Sequence, residues 1–285
     1  MNRSSAHAPP PLVLVYAASD PSGGAGIQAD LLTCASIGCH PLSVITAVTV
    51  QDSVGVARVA AVDSQLVTEQ ASLLLQDMSV TVCKIGLLGS VENVVTVAEL
   101  LAAHPDIPVV FDPVLASGRG DVLADASMIL AIRQYLLPLT TVLTPNTLEV
   151  RRLAAVQTSL LATPTLAECS LHLLDLGCKY VLLTGTHNDT PQVYNELYRQ
   201  GYGLVRTDRW QRLAGSYHGS GCTLASAVAS FLAQGYPVEA AVQAAQQFTW
   251  QSLATAFRPG KGQYLPNRFF KQQVNTGRKG CCEDG

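Results

Sequence analysis

The segment Tyr217-His218-Gly219-Ser220-Gly221-Cys222-Thr223 runs directly into an Ala-rich stretch of helical character. Two glycines flank Ser220, so the backbone can curl and aim successive N–H groups at one point. A helix starting there adds positive potential, and such a turn suits an anion, for example a transferring phosphoryl group. Cys222 would fall in the first turn of that helix, where a thiol has a lowered pKa and can act as a base. The bland alternative is a tight turn before a buried helix, with Cys222 inert. No G-x-x-x-x-G-K-[ST] sequence occurs, which excludes a P-loop kinase. No G-x-S-x-G elbow occurs either, which argues against an α/β-hydrolase.

Two further clusters could work with it. Phe111-Asp112-Pro113 and Leu143-Thr144-Pro145-Asn146, with Glu149 following, put an acid and an amide at the ends of apolar runs. Such groups suit Mg²⁺, which takes oxygen ligands and keeps several waters. Asn146 could equally cap the helix carrying Glu149. Ser19-Asp20-Pro21-Ser22-Gly23-Gly24-Ala25-Gly26 forms a glycine-rich loop before a helix and offers N–H groups to a polar ligand. Gly24, Gly26 and Ala29 fit the G-x-G-x-x-A dinucleotide fingerprint, with Asp52 further on. That fingerprint should open directly off its strand, and here Asp20-Pro21-Ser22 intervene. An acceptor loop, a metal-binding pair and an anion cradle together favour phosphoryl transfer, which needs positioning, charge stabilisation and a base.

Parallel strands must carry these groups. Continuous apolar runs at Leu12–Ala18, Leu42–Val50, Val80–Ile85, Val109–Asp112, Thr141–Leu143 and Tyr180–Thr184 suit strands covered on both faces. Helical patterns lie between them. Ile27–Ile37 is stopped by Gly38, Ser64–Leu75 follows, and Val91–Leu101 has Ser90 as its cap. Thr165 and Glu168 predict a capping box on a helix ended by Gly177. Gln192–Trp210, with Gly201 and Gly203, reads as an antiparallel hairpin. Two Ala-rich helices follow, about Cys222–Gln234 and Pro237–Phe257. The alternation predicts an open, mostly parallel sheet with helices on both faces, whose ligands bind beyond the carboxyl ends of the strands.

The 285 residues are 48% hydrophobic and only 14% charged, with a net charge of −3. That balance argues against a nucleic-acid partner, and no apolar stretch reaches the roughly 20 residues of a membrane span. No linker or repeat divides the chain, so a single domain is expected over 12–273, with loose tails at 1–11 and 274–285. Eight cysteines occur without any C-x-x-C pair, so zinc is not indicated. Seven of them, Cys281 and Cys282 included, read as idle reduced thiols; Cys222 is the exception.

Taken in order, Ala18-Ser19-Asp20-Pro21-Ser22-Gly23-Gly24-Ala25-Gly26-Ile27-Gln28-Ala29-Asp30, Ser43–Ala47 with Val50-Gln51-Asp52, Lys84-Ile85-Gly86, Asp112-Pro113-Val114, Thr144-Pro145-Asn146 and Gly219–Thr223 carry a resemblance. They are similar to the motifs of the bacterial hydroxymethylpyrimidine/phosphomethylpyrimidine kinases of thiamine biosynthesis. The similarity runs from about Leu12 to Phe257. It implies the ribokinase-like fold, a three-layer α/β/α sandwich with a mostly parallel central sheet. It also implies a cytoplasmic homodimer with ATP as co-substrate, Mg²⁺, and two successive phosphorylations in one site. The acceptors would be 4-amino-5-hydroxymethyl-2-methylpyrimidine and its monophosphate.

By the same resemblance, Gln51 would hydrogen-bond the aminopyrimidine edge, Asp20, Asp30 and Ala18 would shape its pocket, and Leu87 would pack on the ring. Cys222 would be the base, in the place where the related sugar kinases carry an aspartate. Gly219, Ser220 and Gly221 would form the anion hole. Asp112, Asn146 and Glu149 would organise ATP and Mg²⁺, with Asp112 and Glu149 acting on the metal through water. Thr184 stands where many members carry a phosphate-contacting lysine, which leaves Arg119 or Lys84 to bring positive charge to the phosphates. Ala18 stands for a common Gly, and Ser220 for a commoner Thr. The alternatives are a pyridoxal/pyridoxine kinase of the same superfamily and a nucleotide-binding module without kinase activity.

Overall fold

Runs of Val, Ile and Leu bury side chains on both faces only if helices cover both sides of the sheet, and that is the arrangement found. The computed structural model describes residues 8–117, 120–155, 164–185 and 190–272. Nine strands form one sheet: β1 (Leu12–Ser19), β2 (His40–Gln51), β3 (Val56–Ala61), β4 (Val82–Ile85), β5 (Val109–Phe111), β6 (Val142–Leu143), β7 (Tyr180–Thr184), β8 (Gln192–Arg199) and β9 (Gly203–Gln211). Their spatial order is β3-β2-β1-β4-β5-β6-β7-β8-β9. The strands from β2 to β7 run parallel, while β3 on one edge and β8 and β9 on the other are antiparallel.

Alternate residues of β1 serve two cores. Leu14 and Tyr16 join the one closed by α2 (Ser64–Asp77), α3 (Val91–Ala102), α4 (Ala126–Ala131), α5 (Thr147–Ala154) and α6 (Leu166–Asp175). Val13, Val15 and Ala17 join the other, closed by α1 (Gly26–Ile37), α7 (Ser220–Ala233) and α8 (Val238–Ala254). The result is the expected three-layer α/β/α sandwich. The chain leaves β1 for β2 on one side and later returns to β4 on the other, so a crevice opens beyond the carboxyl ends of β1 and β4.

Local signals placed many element ends. Gly38 at φ 100° closes α1, Ser90 caps α3, and the Thr165–Glu168 capping box opens α6. Two elements carry no clear pattern in the sequence. β3 is a largely exposed VARVAA segment whose strand state comes from pairing with β2 rather than from a buried face. α4 is one short run that continues into a π turn at Ile132–Leu136 and a 3₁₀ turn around Pro138. α8 ends at Ala254, short of the expected Phe257, which instead bridges to Leu265. α7 begins at Ser220 rather than Cys222, so Cys222 sits inside its first turn. Most of both expected tails, together with Arg119, Cys281 and Cys282, lies outside the described residues.

Candidate active site

Asp20, just past β1, is almost completely buried and organises the glycine-rich loop around its carboxylate. It accepts hydrogen bonds from Ser22 N at 2.8 Å, Ala25 N at 2.7 Å and the Ser22 hydroxyl. His218 Nε2 lies 2.8 Å from Asp20 Oδ2. Burial alone would raise the Asp20 carboxyl, but hydrogen bonds from His218, Gln51, Ala25 and Ser22 outweigh it and hold it well below the carboxylate range. An ionised carboxylate only accepts, so His218 donates from Nε2. One acid thus ties the loop after β1 to the turn before α7 and to Gln51 at the end of β2.

Gly219 caps α7 with φ 80°, a left-handed conformation that favours glycine, and a Cβ there would overlap the Gly24 carbonyl. No side chain caps this end, so the first N–H groups of α7 are left for an anion. Opposite stands Asp112: a Cβ built on Gly221 would lie 3.7 Å from both of its carboxylate oxygens.

The acids here are held close to neutrality. Burial pushes the Asp112 carboxyl up to about 6, with Lys84 pulling the other way and Asp30 adding to the rise. Burial, then the charge of Asp112, pushes Glu149 up to about 8. Asn146 and Glu149 form a reciprocal capping box on α5, with Asn146 Oδ1 accepting from Leu148 N and Glu149 N at 2.9 Å each. The capping role open to Asn146 from sequence is therefore present, and both side chains also face the cavity.

All the expected site residues among the described ones except Asp30 line a single cavity of about 1030 Å³ at the carboxyl ends of the strands. Asp30 requires a correction: it is fully buried, holding Lys84 Nζ at 2.9 Å and the Ser226 hydroxyl at 2.6 Å, and does not shape the pocket wall. Lys84 borders the floor of the cavity but is fully buried and its ammonium is committed to Asp30, so it is not a free arm for ATP phosphates. Cys222 requires another. Its thiol is pushed up to about 12, because burial and the charges of Asp112 and Asp30 outweigh Lys84 and the Gly26 N–H. The local helix-terminus rule predicted the opposite sign.

Other lining residues gave no local signal. Trp210 and Trp250 stack 6.5 Å apart on the far wall, brought together from β9 and α8. Arg152 reaches from α5 to the carbonyls of Leu115 and Ala124 and pins the segment that follows Asp112. Among the described residues no group of three or more His, Cys, Asp or Glu could hold a metal by itself.

The profile of the family described as phosphomethylpyrimidine kinase matches residues 20–267. A hydroxymethylpyrimidine/phosphomethylpyrimidine kinase from Streptomyces coelicolor is 41% identical over 257 residues, covering 89% of this chain and 92% of the relative. The crystal structure of phosphomethylpyrimidine kinase from Clostridium difficile 630 superposes with a TM-score of 0.72 at 31% identity, covering 85% of this chain and 99% of that one. The ADP complex of Bacillus subtilis pyridoxal kinase superposes with a TM-score of 0.80 at 26% identity, covering 92% and 99%.

Proposed function

Since the chain belongs to the phosphomethylpyrimidine kinase family, we propose that it transfers the γ-phosphoryl group of ATP to hydroxymethylpyrimidine and then to the resulting monophosphate, in thiamine diphosphate biosynthesis. The observation that carries this reading is the convergence of Gln51, the uncapped start of α7 and Asp112 on one cavity.

Gln51 offers the paired donor and acceptor that an aminopyrimidine edge requires. Leu87 and Ala18 supply apolar wall beside it, and Asp20 fixes the loop that carries the acceptor. The N–H groups after Gly219 receive the moving phosphoryl group, with Asn146 and Thr184 beside the ATP phosphates. Trp210 and Trp250 give the nucleotide base a flat apolar wall. Cys222, as the thiolate, takes the hydroxyl proton as the new O–P bond forms and the bond from the γ-phosphorus to the departing ADP oxygen breaks. That role needs the thiolate, which Lys84 and the Gly26 N–H favour and burial opposes.

Two buried carboxylates held near neutrality fit a cation, and Mg²⁺ is commonly held by one or two carboxylates plus phosphate oxygens and water. Asp112 and Glu149 would hold it, through water. Bound there, Mg²⁺ would supply charge neutralisation at the phosphates.

The acceptor is therefore a small molecule, and the net charge of −3 supports no nucleic-acid partner. No helix among the described residues is long and apolar enough to cross a membrane, and the site of action is proposed as the cytoplasm. We propose that the chain acts as a homodimer, a reading supported by the half-exposed Val48 and Val50 on β2 near the sheet edge. Sedimentation at equilibrium tests it.

The catalytic reading is tested by ADP release with hydroxymethylpyrimidine and, separately, with its monophosphate; no turnover with either overturns it. Pyridoxal as a competing acceptor in the same assay decides the second reading, which the likeness to pyridoxal kinase favours. Tight ATP binding with no acceptor phosphorylated would leave only the nucleotide-binding module.

A further inference from the structure

Arg268 lies one residue beyond the stretch matched by the family profile, yet its side chain is buried behind two glycine turns that border the cavity. It is only 4% exposed. Its Nε donates to the Thr223 hydroxyl at 3.1 Å, and its terminal NH2 donates to the Gly24 carbonyl at 2.6 Å. Neither partner is a carboxylate, so a full positive charge is buried on neutral acceptors. Burial accordingly lowers this guanidinium to about 10, while Cys222, Asp30 and Asp20 favour its charge. Burying a charge without an ionic partner is costly, and the planar guanidinium fork offsets part of that cost by holding two acceptors at once.

The two acceptors belong to the two loops that must face each other during transfer. Gly24 is in the acceptor loop after β1. Thr223 donates its hydroxyl to Gly219 O at 2.8 Å and so fixes the cap of α7. The Gly24 carbonyl is also the group that a Cβ on Gly219 would overlap. The guanidinium fork therefore spans the place where the two glycine turns touch.

Resting on the kinase reading, we propose that Arg268 is a positioning residue for phosphoryl transfer: through Gly24 and Thr223 it sets the spacing between the acceptor loop and the anion hole. Its side chain is not part of the cavity lining. Misplacement of reacting groups by about 1 Å costs on the order of 100-fold in rate, so loss of the fork should appear in kcat rather than in ATP affinity.

The test compares the full chain with Arg268→Gly and Thr223→Val, measuring ADP release, ATP affinity by tryptophan fluorescence and thermal midpoint. The expected result for Arg268→Gly is a fall in kcat of about 10- to 100-fold, with ATP affinity close to that of the parent. Millimolar guanidinium chloride should restore part of that rate, and sodium chloride at equal ionic strength should not. A merely structural role would not produce guanidinium-specific rescue. A parental kcat in Arg268→Gly, or a loss shared equally by ATP binding and not rescued, overturns the inference. If Arg268→Gly does not fold, Thr223→Val decides: reduced kcat with retained ATP affinity supports the inference and unchanged kcat overturns it. A parent chain without turnover overturns the kinase reading and this inference together, whereas an active parent with an indifferent Arg268→Gly overturns this inference alone.

Discussion

The ammonium of Lys84 stands 2.9 Å from the Asp30 carboxylate, and both side chains are withdrawn entirely from solvent. The Ser226 hydroxyl satisfies the other oxygen of Asp30, and a Cβ on Gly86 would press to 2.9 Å from Lys84 Nζ. This pair is the foundation beneath Cys222 and Asp112. Removing one partner of a buried pair leaves an uncompensated charge and costs about 3–5 kcal/mol, whereas removing both is far milder. Lys84→Met should therefore destabilise strongly in urea titration, and Lys84→Met with Asp30→Asn should recover much of the loss. Equal losses in the single and double variants would refute the pairing argument.

Cys222→Ala should keep ATP binding and lose turnover by about 10²- to 10⁴-fold, the usual contribution of a general base. A near-parental rate would remove Cys222 from the proton-transfer step. In the free chain the thiol stays protonated at neutral pH, because burial and two carboxylates push it up to about 12. Iodoacetamide should consequently label Cys222 slowly at pH 8, slower than a free cysteine peptide, and faster only as the solution becomes strongly alkaline. Rapid labelling at neutral pH, located by mass spectrometry, would contradict that.

The Glu149 carboxyl, ordinarily near 4.5, is raised to about 8 in the folded chain. A raised folded value means the native state binds the proton more tightly than the unfolded chain. The resulting stability is fully present below about 4.5 and is lost as pH rises through about 8. With chelator present, unfolding free energy should therefore decline across that window. Glu149→Gln, which can still serve the capping box, should flatten the decline. An unchanged pH slope in Glu149→Gln would show that Glu149 does not titrate there. Turnover in the parent chain should stop with chelator and return with Mg²⁺.

Gln51→Leu should raise KM for the aminopyrimidine by about tenfold or more, the equivalent of one or two lost hydrogen bonds. KM for ATP should stay near the parental value. Because Gln51 also helps hold the Asp20 carboxyl low, some loss of kcat is expected with it. A rise in KM for ATP alone would place Gln51 outside the acceptor pocket.

Gly219→Ala tests the anion hole. The left-handed backbone costs an alanine about 1–2 kcal/mol, and the added methyl would overlap the Gly24 carbonyl. Turnover should collapse even if the chain folds. A variant with parental kcat would show that the turn before α7 does not receive the phosphoryl group.

Much of the site was legible because its residues are fixed by local rules. Gly219, Asn146 and the loop opened by Asp20 each sit at the junction of a strand and a helix, where φ angles and free N–H groups restrict the choice of residue. Their order along the chain was enough to predict that they share the carboxyl edge of a parallel sheet. Continuous apolar runs likewise fixed most strands, while β3 escaped because its neighbour β2, not its own pattern, makes it a strand.

What the sequence determined by itself was therefore the kind of chemistry, the family and the edge of the sheet on which they meet. Only tertiary structure decided the charge state of the groups. Asp30 looked like pocket wall until packing set it against Lys84, 54 residues away. Cys222 looked acidified by its helix until burial and two distant carboxylates reversed the sign. Arg268 carried no motif at all, and its contact with the acceptor loop is made only by reaching Gly24 across 244 residues. Solvation and Coulomb interactions depend on distance in space, and spacing along the chain does not encode it.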